Sequence, residues 1–287
     1  MSPKQNKSPL ISASELLSIH QNEDIVLVDT RMGKDIKNTY QKSHLSGALY
    51  VNLNEQLSDI KENAANGGRH PLPSIEKFSK TLTELGITPK SYVILYDDKN
   101  GAIASARFWW MLRAIGHEKV QVLDGGIQKA EKVGFPMSSS LESPKTVSPY
   151  EITGWKLPMA TINEVEKNSQ DAAHLVIDVR AQERYNGETE PIDLVAGHIP
   201  GALNVPFSTN LDENGLYLSR DILKEKYQKL IGSRSIENVT VHCGSGVTAC
   251  HTLLAMAHAG IEIPNLYVGS WSEWSRNNKT IATNLKK

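Results

Sequence analysis

Two stretches of the chain read as copies of one another: Ile25-Val26-Leu27-Val28-Asp29-Thr30-Arg31 and Leu175-Val176-Ile177-Asp178-Val179-Arg180. Working outward, the correspondence keeps its order. Ser43-His44-Leu45-Ser46-Gly47-Ala48 is answered by Gly197-His198-Ile199-Pro200-Gly201-Ala202. The run 93–97 is answered by 239–243, and both lead through a glycine, Gly101 or Gly246, into a helical pattern. Val122-Leu123-Asp124-Gly125-Gly126 is answered by Leu266-Tyr267-Val268-Gly269-Ser270. Matched segments in one order make this a unit written twice.

Each copy alternates short apolar runs with helical periodicity. The runs 25–28, 48–51, 92–96 and 120–123 are rich in β-branched residues and bounded by turn residues. They suit buried strands of a parallel sheet. Ser12-x-x-Glu15 and Thr161-x-x-Glu164 are capping boxes that open helices. Strand–helix alternation predicts an α/β fold, each half a mainly parallel sheet with helices on both faces. Serines 138–140 and prolines 144, 149 and 158 mark an extended connector between the halves. The expected organisation is a leader (1–9), a first domain (10–140), a linker (141–158) and a second domain (159–287). Two similar α/β domains joined this way leave a cleft suited to a small molecule.

The chain has 287 residues, a formal net charge of −1 and a hydrophobic fraction of 39%. The length suits two domains, and the apolar fraction builds cores, which excludes a disordered chain. A near-neutral balance gives no global field for nucleic acid or an anionic membrane, so neither is expected as a partner. No stretch approaches the ~18 apolar residues of a membrane span. The polar start from Met1 to Leu10 lacks the apolar centre of a signal peptide and reads as a flexible leader. Cys243 and Cys250 are the only cysteines. They make neither a disulfide framework nor a four-cysteine zinc site, and they fit a reducing, cytoplasmic setting. No cluster of His, Cys and Asp has metal-ligand spacing, so neither metal nor cofactor is expected.

The strongest chemical signal is Val239-Thr240-Val241-His242-Cys243-Gly244-Ser245-Gly246-Val247-Thr248-Ala249-Cys250. An apolar strand ends at Cys243, a loop with two glycines follows, and a helical pattern runs through Leu253, Leu254, Met256 and Ala257. This puts a thiol at the C-terminal end of a parallel strand, where open α/β sheets bind ligands. Loop N–H groups and the helix N-terminus favour negative charge there, hence the nucleophilic thiolate. Gly244 and Gly246 are expected to supply a tight curl or left-handed backbone. His242 faces the opposite side by strand alternation. Cys250 lies seven residues on, at ~1.5 Å per helical residue too far for a disulfide, and reads as a packed helix residue.

Cysteine-dependent phosphatases and arsenate reductases offer a competing chemistry. Phosphatases carry an arginine six residues after the cysteine, and here that position is Ala249, which demotes the reading. The loop 243–249 instead resembles the active-site loop of the tandem rhodanese family, in the version typical of 3-mercaptopyruvate sulfurtransferases. Members that prefer thiosulfate often place Arg-Lys after the cysteine. The resemblance extends over nearly the whole chain. It includes Gly197-His198-Ile199-Pro200-Gly201-Ala202, Arg184-Tyr185-x-Gly187-x-x-Glu190-Pro191 and Leu123-Asp124-Gly125-Gly126.

That resemblance implies two rhodanese-like domains in tandem. The first is inactive, because Asp97 stands where the second has Cys243 and a carboxylate forms no persulfide. It implies a sulfurtransferase moving sulfane sulfur from an anionic donor, thiosulfate or 3-mercaptopyruvate, to cyanide or a thiol acceptor through a persulfide on Cys243. The alternative is a persulfide carrier that holds the sulfur for a protein partner. Arg184 matches the family's substrate arginine and can grip a carboxylate or sulfonate with two donors. Gly244, Ser245, Gly246, Val247 and Thr248 are the candidate loop contacts, with helix capping the other role open to Thr248.

In Gly67-Gly68-Arg69-His70-Pro71-Leu72-Pro73 the resemblance puts His70 near the site, for proton transfer or as a structural loop residue, and Arg69 as a second positive charge. Related enzymes pair such a histidine with an aspartate; the matching position here is Asn54, so a full triad is not expected. They also often carry an arginine soon after the Glu-Pro pair, where this chain has Ile192 and Asp193. Asp29, Asp178, His44 and His198 recur in both halves and read as architectural. Trp271 and Trp274, in a loop after the last strand, either wall the cleft or pack internally.

Overall fold

The computed structural model describes residues 8–285; residues 1–7, most of the expected leader, lie outside the described residues. The first half runs β1 (Leu10–Ile11), α1 (Ala13–Ile19), β2 (Ile25–Asp29), α2 (Ile36–Lys42), β3 (His44–Leu45), β4 (Leu49–Tyr50), α3 (Leu53–Gln56), α4 (Ile75–Glu84), β5 (Tyr92–Tyr96), α5 (Ala104–Ala114), β6 (Val120–Leu123), α6 (Gly126–Lys132) and β7 (Met137–Ser138). The second runs α7 (Ile162–Asn168), β8 (Leu175–Asp178), α8 (Gln182–Asn186), β9 (Leu203–Asn204), α9 (Arg220–Ile231), β10 (Val239–His242), α10 (Thr248–His258), β11 (Asn265–Leu266) and α11 (Ser270–Trp274). Both capping boxes form, with the Ser12 and Thr161 hydroxyls accepting from the Glu15 and Glu164 N–H groups.

The main sheet of each half is parallel. The first has the order β1-β6-β5-β2-β4 and the second β11-β10-β8-β9. A parallel bridge between Met159 and Leu266 extends the second sheet where β1 extends the first. Register identifies equivalent positions: Asp29 lies opposite Tyr96, and Asp178 opposite His242. The next residues along, Asp97 and Cys243, therefore occupy the same place in the two copies.

The recurrent residues hold corners. Arg31 donates to Asp29 and to the Ser43 carbonyl, and Arg180 donates to Asp178 and to the Gly197 carbonyl. His44 stacks on Tyr40 at 4.0 Å, and His198 stacks on Tyr185 at 3.8 Å. Each of these is an architectural device repeated with the unit.

Strand alternation divides the apolar side chains between two faces. On the outer faces α1 and α6 cover Leu27, Ile94 and Leu123, while α7 and α11 cover Val176. Trp271 and Trp274 belong to this outer packing, inside the short helix α11 and not in a loop. On the inner faces the two halves share one continuous core. It joins Val93, Leu95, Phe108 and Trp110 of the first to Ile177, Val241, Cys243 and Leu254 of the second. Helices α5 and α10 meet at the centre of this interface. The linker is extended but does not stand free: Trp155 packs 5.3 Å from Phe78, and the Tyr150 hydroxyl bonds to His117.

Candidate active site

Cys243 follows the last residue of β10, and alternation turns its side chain into the shared core while His242 faces the outer side. The loop after it is tied down through its carbonyls. Trp271 N–H donates to the Cys243 carbonyl at 3.0 Å and Ser272 N–H to the Gly244 carbonyl at 2.8 Å. Arg107 Nη1 donates to the Gly246 carbonyl at 3.1 Å. The Cys243 N–H donates to Ser270 Oγ at 3.2 Å. Among the described residues, the N–H groups of Gly244, Ser245, Gly246 and Val247 donate to no protein acceptor. A loop with its carbonyls engaged and its amides free is a nest for an anion.

The first half supplies an internal control for that statement. There the Asp97 carboxylate accepts from the N–H groups of Lys99 at 2.9 Å, Gly101 at 2.8 Å and Ile103 at 3.3 Å. The same loop, folded in the same place, has filled its nest with its own side chain. Burial pushes the Asp97 carboxyl up, and these backbone donors act against it. In the second half a thiol, which cannot reach so far around the loop, leaves the amides available.

The two glycines serve different ends. Gly246 has φ +72°, and a Cβ there would lie 2.5 Å from the Val268 carbonyl oxygen. Gly244 is not in the left-handed region; it is small because two guanidinium groups lie over it. A Cβ would stand 3.0 Å from Arg69 Nη2 and 3.6 Å from Arg184 Nη2. Thr248 is the first residue of α10, whose cap is Val247, and its hydroxyl caps nothing.

The structure brings Arg69, Arg184, His70 and Ser245 to this loop. Arg184 projects from α8 and is gripped by Glu190, with Nη2 at 2.7 Å from Oε1. Asp193 has a fully buried carboxylate that binds three arginines. Arg69 Nε reaches it at 3.0 Å, Arg184 Nη2 at 3.3 Å and Arg276 Nη1 at 3.0 Å. The position where an arginine was missing from the sequence thus holds the carboxylate that gathers arginines from both halves. Neither Asp193, Arg276 nor Ser270 was visible as a site residue, because each works through a partner distant in sequence.

His70 Nδ1 lies 2.8 Å from Ser245 Oγ, across the boundary between the halves. Burial, then the charges of Arg69 and Arg107, push its pKa down to about 4. His70 is therefore uncharged at pH 7. Asn54 takes no part; its N–H serves the Asn52 cap of α3. Cys250 is fully buried, donates to the Gly246 carbonyl, and has its thiol pushed up to about 12 by burial. Of the two free cysteines, only Cys243 stands at the nest.

Comparison with known proteins finds relatives over nearly the whole chain. The model of the rhodanese-like domain matches twice, over residues 12–132 and 161–277. A probable 3-mercaptopyruvate sulfurtransferase of Pseudomonas aeruginosa is 35% identical over 94% of this chain and 95% of its own length. A putative thiosulfate sulfurtransferase of Mycobacterium tuberculosis is 36% identical over 93% of each chain. Among solved structures, SseA of Escherichia coli, described as a 3-mercaptopyruvate sulfotransferase, superposes with a TM-score of 0.75 at 30% identity, covering 93% of this chain and 100% of that one.

Proposed function

The chain belongs to the rhodanese family, as a sulfurtransferase with two rhodanese-like domains in tandem, and we propose that it moves sulfane sulfur from 3-mercaptopyruvate or thiosulfate to a thiol or cyanide through a persulfide on Cys243. The observation that carries the reading is the contrast between the two nests, one closed by Asp97 and one left open around Cys243. No prosthetic group enters the scheme; the sulfur is carried by the cysteine itself.

In the first half-reaction the Cys243 thiolate attacks the transferable sulfur of the donor. With thiosulfate the S–S bond breaks and sulfite leaves with the bonding pair. With 3-mercaptopyruvate the C–S bond breaks, and pyruvate leaves as an enolate that takes up the proton given up by the donor thiol. Neutral His70 and the Ser245 hydroxyl, 2.8 Å apart, are the relay for that proton. The donor's carboxylate or sulfonate is held by Arg184 and Arg69 above Gly244. In the second half-reaction the acceptor attacks the outer sulfur, and the Cys243 thiolate leaves with the pair. The free loop amides stabilise negative charge on the persulfide as an oxyanion hole does on oxygen.

Steady-state kinetics with cyanide as acceptor test this. The expected pattern is ping-pong, with comparable turnover by small thiols and none by Cys243→Ser. A protein that accepts one sulfur per chain and does not cycle is a carrier, and turnover by Cys243→Ser contradicts the scheme outright.

A further inference from the structure

Helix α5 of the first domain is buried at every residue but Arg113, with Phe108, Trp109, Trp110, Met111 and Leu112 all within the core. Two charges sit in it, Arg107 and, in its last turn, the partly exposed Arg113. Arg107 is fully buried, and among the described residues no carboxylate pairs with it. Its Nη1 donates to the Gly246 carbonyl of the cysteine loop and its Nη2 to the His70 carbonyl, both at 3.1 Å. Its Nε has no hydrogen-bond partner among the described residues, and the neutral Cys250 thiol lies against the guanidinium. Two carbonyls are poor compensation for a guanidinium held in a dry interior, which costs several kcal/mol unless an anion is near. An arginine cannot escape by losing its proton.

The ionisable groups that Arg107 faces across α10 are the two thiols, Cys250 and Cys243. Burial keeps Cys250 neutral at pH 7. Cys243 is the group left to balance the buried cation. The first domain, which has Asp97 at the place equivalent to Cys243, touches the cysteine loop of the second through this side chain.

We propose that Arg107 is a positioning residue and fixed counter-charge for Cys243: the inactive domain supplies, through α5, the buried cation that holds the thiolate and then the persulfide. It touches neither donor nor acceptor. It acts by fixing the Gly246 and His70 carbonyls and by setting a positive potential behind the loop. The charged or titratable groups around Cys243 from other elements are Arg69 and His70 on the 67–73 loop and Arg184 on α8. His242 on β10 and Cys250 on α10 complete the set. Of these only Arg69 and Arg184 carry positive charge at pH 7, and both are partly exposed and shared with Asp193.

The persulfide half of the proposal rests on the sulfurtransferase reading; the thiolate half does not, and the test separates them. The rate of iodoacetamide capture of Cys243 is measured against pH in the wild type, Arg107→Met and Arg107→Lys, with thermal melting to establish folding. Arg107→Met should lower the rate at pH 7 about tenfold and move the profile up by about one pH unit, the size of effect a close charge has. Arg107→Lys, which keeps the charge and loses the fork, should restore most of the rate. Sulfur transfer by Arg107→Met should show a lower kcat with little change in donor KM, because the donor is held elsewhere. Should Arg107→Met unfold, Arg107→Gln retains an amide donor for one carbonyl and makes the same comparison. A folded neutral variant with the wild-type alkylation profile overturns the proposal. A shifted profile in a protein whose wild type transfers no sulfur would uphold the counter-charge and overturn only the sulfurtransferase reading.

Discussion

At the scale of single residues, the site is a division of labour among side chains that look alike in sequence. Cys243 and Cys250 differ through their surroundings: one stands at free amides, the other donates to a carbonyl in a dry helix contact with its thiol pushed up to about 12. Iodoacetamide at pH 7 should therefore label Cys243 rapidly and Cys250 at least 100-fold more slowly, an order of magnitude set by the thiolate fraction. Peptide mapping reads the two rates, and equal rates would remove the activated-thiol claim. Arg184 and Arg69 differ in a second way, since Arg184 is clamped by Glu190 as well as Asp193 while Arg69 has Asp193 alone. Arg184→Ala and Arg69→Ala should each raise donor KM by roughly 10- to 100-fold, the range of a charge-assisted hydrogen bond. A fall in kcat with KM unchanged would mean that they do not hold the donor.

At the scale of elements, what the sequence made legible was what repeats locally. Strand runs, capping boxes and the matched aspartates each announce themselves within a few residues, and the cysteine loop is one continuous strand–turn–helix segment. The residues that escaped were those whose meaning depends on the fold. Asp193 looked like the loss of an arginine, because three guanidinium groups 9, 83 and 124 residues away converge on it only in space. Arg107 lies mid-helix in a mostly apolar run that also holds Arg113, but the carbonyls it serves lie in another loop and another domain. Gly246 belongs to this scale as well. Its left-handed backbone lets the loop turn under the Val268 carbonyl, so Gly246→Ala should strain or displace the whole element. The expected result is a loss of about 2 kcal/mol or more in stability, with persulfide formation largely abolished. A thermal melt and a transfer assay measure the two, and a variant with wild-type values in both would show that the loop does not need its curl.

At the scale of the whole molecule, duplication made the enzyme asymmetric. One copy holds Cys243 at an open nest; the other closes its own nest with Asp97 and sets Arg69, His70 and Arg107 against its neighbour's loop. The joint should be sensitive to acid. His70 bonds Ser245 across it and His258 bonds Ser8 across it, and burial lowers both to about 4. Below the unfolded value near 6.5 the unfolded chain binds more protons than the folded one, so stability falls as pH drops from about 6.5 to 4. Each ring contributes at most about 1.4 kcal/mol per pH unit, less where water still reaches it. The melting temperature should fall across that window, and less steeply in His70→Asn; an equal slope in the variant would show that His70 is not one of the groups responsible. The claim on which everything else turns is that Cys243 carries the transferred sulfur. Intact-protein mass spectrometry after incubation with 3-mercaptopyruvate or thiosulfate tests it most directly. The wild type should gain ~32 Da, one sulfur atom, located to Cys243 by fragmentation and removed by cyanide, while Cys243→Ser gains nothing. A sulfur adduct on Cys250, or an unmodified wild-type protein that still transfers sulfur, would contradict it.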